Sequence, residues 1–113
     1  MSPARPGSAP LAITLGDPAG VGPEIIGAAW KALRREPACF FLVGDAATCV
    51  SAGVPVALIA APAEAEARFA DALPVLDIPL TAPVTPGQPS SAAAPQVIAW
   101  IERAVSLALA GEA

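Results

Sequence analysis

At 113 residues and 55% hydrophobic, the chain can bury the core of one small domain, although 4% aromatic residues and many alanines predict a core thin in large side chains. A net charge of −4, with only six basic residues scattered along the chain, supplies no basic stripe for phosphates and argues against a nucleic-acid partner. No apolar run approaches the ~20 residues of a membrane span and residues 1–10 hold no apolar signal core, so the sequence reads as soluble and cytoplasmic, with no membrane partner.

Residues 1–10 are rich in Pro, Ser and Gly and have no periodicity, which predicts a flexible tail. Residues 11–15, with β-branched Ile13 and Thr14, read as a buried strand that Gly16 ends. Gly16, Gly20 and Gly22 then permit sharp turns, and Asp17-Pro18 is a turn-initiating pair. Pro23 fits the first turn of a helix, and Glu24 beside it sets a carboxylate on the positive end of the helix dipole. That helix runs to about Arg35 ahead of Pro37, with Ile25, Ile26, Ala29, Trp30 and Leu33 spaced to form its apolar face. Residues 39–43 are an unbroken apolar run, typical of a strand covered on both faces of a parallel sheet. Asp45 is placed to cap a short helix to Ala52, Gly53 to follow its end, and residues 54–59 to form a third strand. The β-α-β-α-β order predicts an α/β layer with right-handed crossovers.

Beyond Ala60 the pattern is less regular. Residues 61–73 suit either a helix or an irregular excursion around Phe69. Residues 73–78 read as extended, with Pro74 and Pro79 confining them to a sheet edge or to no sheet. Residues 82–91 are a proline-punctuated loop, and Ser90 or Ser91 is placed to cap a last helix. In that helix Val97, Ile101, Ala104, Val105 and Ala108 make one apolar stripe, while Ile98, Trp100, Leu107 and Leu109 spread round the remainder. Cys39 and Cys49 read as free, buried thiols, since their spacing fits neither a disulfide framework nor a zinc pattern.

Leu15-Gly16-Asp17-Pro18-Ala19-Gly20-Val21-Gly22-Pro23-Glu24-Ile25 resembles the N-terminal signature of the 4-hydroxythreonine-4-phosphate dehydrogenase family, which is similar in fold to the isocitrate and isopropylmalate dehydrogenases. Ala82-Pro83-Val84-Thr85-Pro86-Gly87, with the last helix through Gly111-Glu112, resembles the family segment just before its Val-Thr-Ala-Pro motif. The two matches span nearly all of this chain but only the opening part of the family's length. The resemblance implies an α/β fold with a partial, mostly parallel sheet and flanking helices, residues 11–113 being the incomplete N-terminal portion of a larger two-domain enzyme. It implies NAD and a divalent metal as cofactors of the intact enzyme, which would commonly be a homodimer. The implied reaction is oxidation, with decarboxylation, of the small phosphorylated substrate 4-phosphooxy-threonine in pyridoxal phosphate (vitamin B6) biosynthesis. A related four-carbon sugar-acid phosphate dehydrogenase, or a non-catalytic α/β module binding a ligand or partner, are the alternatives.

The 16–22 loop is Gly-x-x-x-Gly-x-Gly, neither the dinucleotide fingerprint nor a phosphate-binding P-loop. Leading from a strand into a helix N-terminus, it would serve either as a tight turn or as a wall against a cofactor. The resemblance implies the second role for Gly16, Asp17, Gly20 and Gly22, through backbone atoms. On the residues alone, Asp17 suits turn amides, Glu24 the helix dipole, and Asp45 a helix cap better than a ribose contact. Lys31, Arg34 and Arg35 read as solvated helix-end charges. The chain has no histidine, so the family's three metal-binding histidines match nothing here. No catalytic residue and no metal ligand is assigned, and this chain alone is expected to be inactive and to hold no cofactor tightly.

Overall fold

Four parallel strands are threaded by helices in the computed structural model of the chain, which describes residues 9–16, 18, 20, 22–37, 39–81 and 93–113. The order is β1 (Leu11–Thr14), α1 (Gly22–Leu33), β2 (Phe40–Gly44), α2 (Ala46–Ser51), β3 (Val56–Leu58), a 3-10 turn (Pro62–Glu64), α3 (Ala65–Arg68), β4 (Leu73–Asp77) and α4 (Ala94–Leu109). The sheet runs β1-β2-β4-β3. The first three strands and the two helices between them stand close to where the hydrophobic patterning puts them, but β1, read as buried, is an edge strand with Leu11 exposed and residues 12–14 half-buried, because only β2 pairs with it. Most of the expected tail, the 82–91 loop with its two serines, and the second resemblance motif lie outside the described residues.

β4 corrects the sequence reading. Residues 73–77 form an inner strand between β2 and β3, not an edge. The register explains how Pro74 is tolerated there. Leu73 donates its N–H to Pro55 O on the β3 side, and Ile78 donates to Gly44 O on the β2 side. N–H direction alternates along a strand, so Pro74, in phase with Ile78, turns its missing donor toward β2. The β2–β4 ladder begins only at Leu42↔Val75, one residue later. Pro74 therefore removes no ladder bond and is buried as an apolar side chain. The segment before β4 is a 3-10 turn and a single helical turn, in which Glu64 accepts from the Ala60 and Ala61 N–H groups at 2.9 and 2.8 Å. β3 is shorter than expected. Val54 lies before it, close against Gly27 of α1.

The core is richer in large side chains than the composition implies, because all five aromatic residues are buried: Trp30, Phe40, Phe41, Phe69 and Trp100. Phe40 and Phe69 meet edge to face at 4.9 Å, a favoured aromatic geometry. Trp30 Nε1 donates to Phe69 O at 2.8 Å, tying α1 to the end of α3 without leaving a buried donor unpaired. Arg34 lies over the Trp30 ring at 5.2 Å, so it is not simply a solvated helix-end charge.

Two helix faces are also corrected. In α1 the buried positions are Pro23, Ile26 and Trp30, whereas Ile25 and Leu33 are exposed. α4 packs over β1 and β2, and it buries Trp100 and Leu107 with Ala93, while Val97 and Ala104 are half-buried. These fall at successive spacings of four, three, four and three. Of the expected stripe, Ile101 and Val105 are exposed, with Ile98 and Leu109 beside them. The cause is that α4 is apolar nearly all round, so periodicity alone does not choose its register. The indole does: Trp100 Nε1 donates to Ile78 O at 2.8 Å, which only this rotation satisfies. No helix of the described residues is long and apolar enough to cross a membrane.

This register is testable by urea denaturation. Trp100→Ala should cost 3–5 kcal/mol, approximately the range for deleting a buried aromatic, whereas Ile101→Ala should stay within about 0.5 kcal/mol, as at an exposed site. The reverse order would restore the stripe expected from the sequence.

Candidate functional site

Because every strand pairing is parallel, the chain leaves β1, β2 and β4 at the same edge of the sheet. Three segments gather there: Leu15-Gly16 after β1, Gly44-Asp45 after β2, and residues 78–81 after β4. The carboxyl edge of an open α/β sheet is where ligands are received in such folds.

Leu15 is the pivot of this edge. It is 2% exposed, and its N–H donates to Val43 O at 3.2 Å, carrying the β1–β2 pairing one residue past the strand. A Cβ added at Gly22 would stand 2.7 Å from Leu15 O, and one added at Gly44 would stand 2.7 Å from Leu15 Cβ. Both glycines are thus fixed by close approach to one residue. Gly16 differs. Its φ is +71°, and an added Cβ would meet nothing within 4 Å, so it needs glycine for its backbone conformation while facing open space. Pro18 is buried and Gly20 exposed. Of the four candidate residues, Gly16 and Gly20 follow β1, Gly22 opens α1, and Asp17 lies outside the described residues. Glu24 sits exposed in the first turn of α1, as the dipole reading expects.

Asp45 caps α2, as the sequence predicts: Oδ2 accepts from the Thr48 N–H at 3.0 Å and from Thr48 Oγ1 at 2.6 Å. Its other oxygen, Oδ1, accepts from the Leu80 N–H at 3.1 Å. With both oxygens engaged and the side chain buried, it is not presented to a ribose. Asp77, at the end of β4, accepts from the Ala46 N–H at 2.9 Å. Two carboxylates therefore satisfy the first amides of α2. Sequence reasoning missed Asp77, Gly44 and Leu15. Gly44 had a signal in the abrupt end of the apolar run, while Asp77 was hidden once its strand was read as an edge.

Among the described residues no group of three His, Cys, Asp or Glu side chains could hold a metal ion. Both cysteines are free, Cys49 buried and Cys39 half-buried. Burial, then the charge of Glu66, pushes the Cys39 thiol up to about 11. Burial, then Asp45 and Asp77, does the same to Cys49, also about 11. Neither is a thiolate nucleophile near neutrality.

Two measurements check the glycine and thiol assignments. Gly16→Ala should destabilise by about 1–2 kcal/mol in urea melts, the cost of a left-handed backbone for a residue with a Cβ, and Gly16→Asn should recover part of it, because the space is open and only conformation is at stake. The thiols predict a pH dependence. An ordinary cysteine ionises near 9 and these near 11, so between those values the folded state binds more protons than the unfolded one. Stability should therefore fall as pH rises through that window. Melting temperatures of a Cys39→Ser, Cys49→Ala variant should show a smaller alkaline decline.

No protein-family model matches the chain. A 4-hydroxythreonine-4-phosphate dehydrogenase of Caulobacter vibrioides is 56% identical over 106 residues, covering 92% of this chain and 32% of the relative. One from Zymomonas mobilis is 43% identical with the same coverage. Among solved structures, a 4-hydroxythreonine-4-phosphate dehydrogenase from Klebsiella pneumoniae superposes with a TM-score of 0.76 at 35% identity, over 93% of this chain and 34% of that one. The chain thus spans about a third of the length of the relatives it matches. Over that third, the chain is similar in sequence and in fold to the 4-hydroxythreonine-4-phosphate dehydrogenases.

Proposed function

We propose that these residues are the N-terminal portion of a cytoplasmic, homodimeric dehydrogenase that uses NAD and a divalent metal to oxidise and decarboxylate 4-phosphooxy-threonine in pyridoxal phosphate biosynthesis. The observation that carries the reading is the 56% identity to the Caulobacter vibrioides enzyme across 92% of the chain. Residues 11–113 would be the incomplete first α/β portion of a two-domain protein. The exposed apolar residues Ile98, Ile101, Val105 and Leu109 of α4 support this, since a surface stripe of that kind calls for cover.

Bound NAD would supply a hydride acceptor for oxidation of the substrate's secondary alcohol. The contribution of this chain is shape. Gly16, with open space at its Cα, together with Asp17 and Gly20, would bring backbone against the cofactor at the carboxyl edge of β1, and Gly22, packed on Leu15 O, would hold the helix start beside them. The divalent metal finds no fit among the described residues, which offer no group of three donors. No step through it is assigned to them.

The test is a chimera of residues 1–113 joined to the remaining two thirds of the Caulobacter vibrioides relative. It should reduce NAD with 4-phosphooxy-threonine, and Gly20→Val should raise the NAD Michaelis constant about tenfold, equivalent to ~1.4 kcal/mol of binding, at temperatures where it stays folded. A folded chimera that reduces no NAD with this substrate would overturn the reading. Turnover only with four-carbon sugar-acid phosphates would reassign the substrate.

A further inference from the structure

Asp45 is the one buried charged residue of the described core, and capping alone does not account for it. A helix cap needs a single side-chain acceptor, which Ser, Thr or Asn provides without burying a charge. A carboxylate adds a second acceptor oxygen, and here that oxygen holds Leu80. The segment so held is pinned at two further points: Ile78 N–H donates to Gly44 O at 2.9 Å, and Ile78 O accepts from Trp100 Nε1 at 2.8 Å.

From this strap a continuous line of contacts reaches the glycine loop. Ile78 bonds Gly44, the Gly44 Cα carbon abuts Leu15, and Leu15 O abuts Gly22. The first step is a hydrogen bond, and the other two are too close to admit even one added carbon without movement, which is the condition for a displacement at one end to be felt at the other. We infer that Asp45 is a positioning residue for the dehydrogenase site: its two oxygens clamp α2 and residues 78–80 together, and through Gly44 and Leu15 that clamp fixes Gly16 and Gly22, the two ends of the glycine loop. The inference rests on the reading of that loop as a cofactor wall.

Asp45→Ser separates the two duties, because serine keeps an acceptor for Thr48 N–H and leaves Leu80 N–H without one. Thr48→Val is the converse control, weakening only the cap. In the 113-residue chain, amide exchange followed by NMR should show Leu80, Ile78 and Leu15 exchanging about tenfold faster in Asp45→Ser, with these amides unchanged in Thr48→Val. In the chimera, Asp45→Ser should raise the NAD Michaelis constant several-fold without a matching loss of thermal stability, and Asp45→Asn, with one acceptor oxygen shared between two donors, should fall between. If Leu80 is released while Leu15 exchanges as before, the clamp does not govern the loop and the inference fails. It fails equally if Leu15 loosens and the kinetic constants of an active chimera do not move. An inactive chimera with the original Asp45 would instead remove the functional reading, leaving the exchange data to decide whether the clamp holds the loop.

Discussion

β2 is the constraint on which the rest of this structure depends. All five of its residues are buried, with β1 on one side and β4 on the other, so it has no face or edge for a polar side chain. Such a strand must be apolar throughout, must end abruptly, and must deliver its first polar residue where the sheet stops. Phe40-Phe41-Leu42-Val43 meets the first demand. Gly44 meets the second, by lying against Leu15 where a side chain would collide. Asp45 meets the third, at the point where three chain segments converge. The candidate site is thus a consequence of the burial of one strand.

Much of this was legible from the residues alone. β1, α1, β2 and α2 are each specified by local chemistry that agrees with the global arrangement: a β-branched run closed by glycine, proline and glutamate at a helix start, a continuous apolar strand, an Asp cap with Gly53 beyond. What was not legible depended on long-range pairing. Pro74 demotes a strand by local rules, and only the half-offset ladder to β2 makes it harmless. The rotation of α4 is set by a bond from Trp100 to Ile78, residues that sequence distance does not connect, in a helix whose apolar arc offers several equivalent faces.

The site itself was half legible. The glycine pattern marked the turn at the carboxyl end of β1, but not the different reasons for its glycines. Gly16 answers to backbone conformation and Gly22 to close approach, and a sequence shows both as the same letter. Asp45 was read as a cap, which is true of one of its oxygens. The second oxygen serves Leu80, 35 residues away along the chain, and no spacing rule reaches that far.

What this edge offers a ligand is backbone and shape more than reactive side chains. Its carboxylates are spent on amides, the Cys49 thiol is held neutral by burial, and Gly16 leaves room. A surface of that kind orients a cofactor or excludes water, and the proton transfers and charge stabilisation of an oxidation need groups of other chemistry. Relatives three times as long have ample chain in which to place such groups. In a parallel sheet the inner strands can set the floor of a cleft but cannot carry titratable residues without burying their charges in the core, which is why Asp45 and Asp77 stand only where β2 and β4 end.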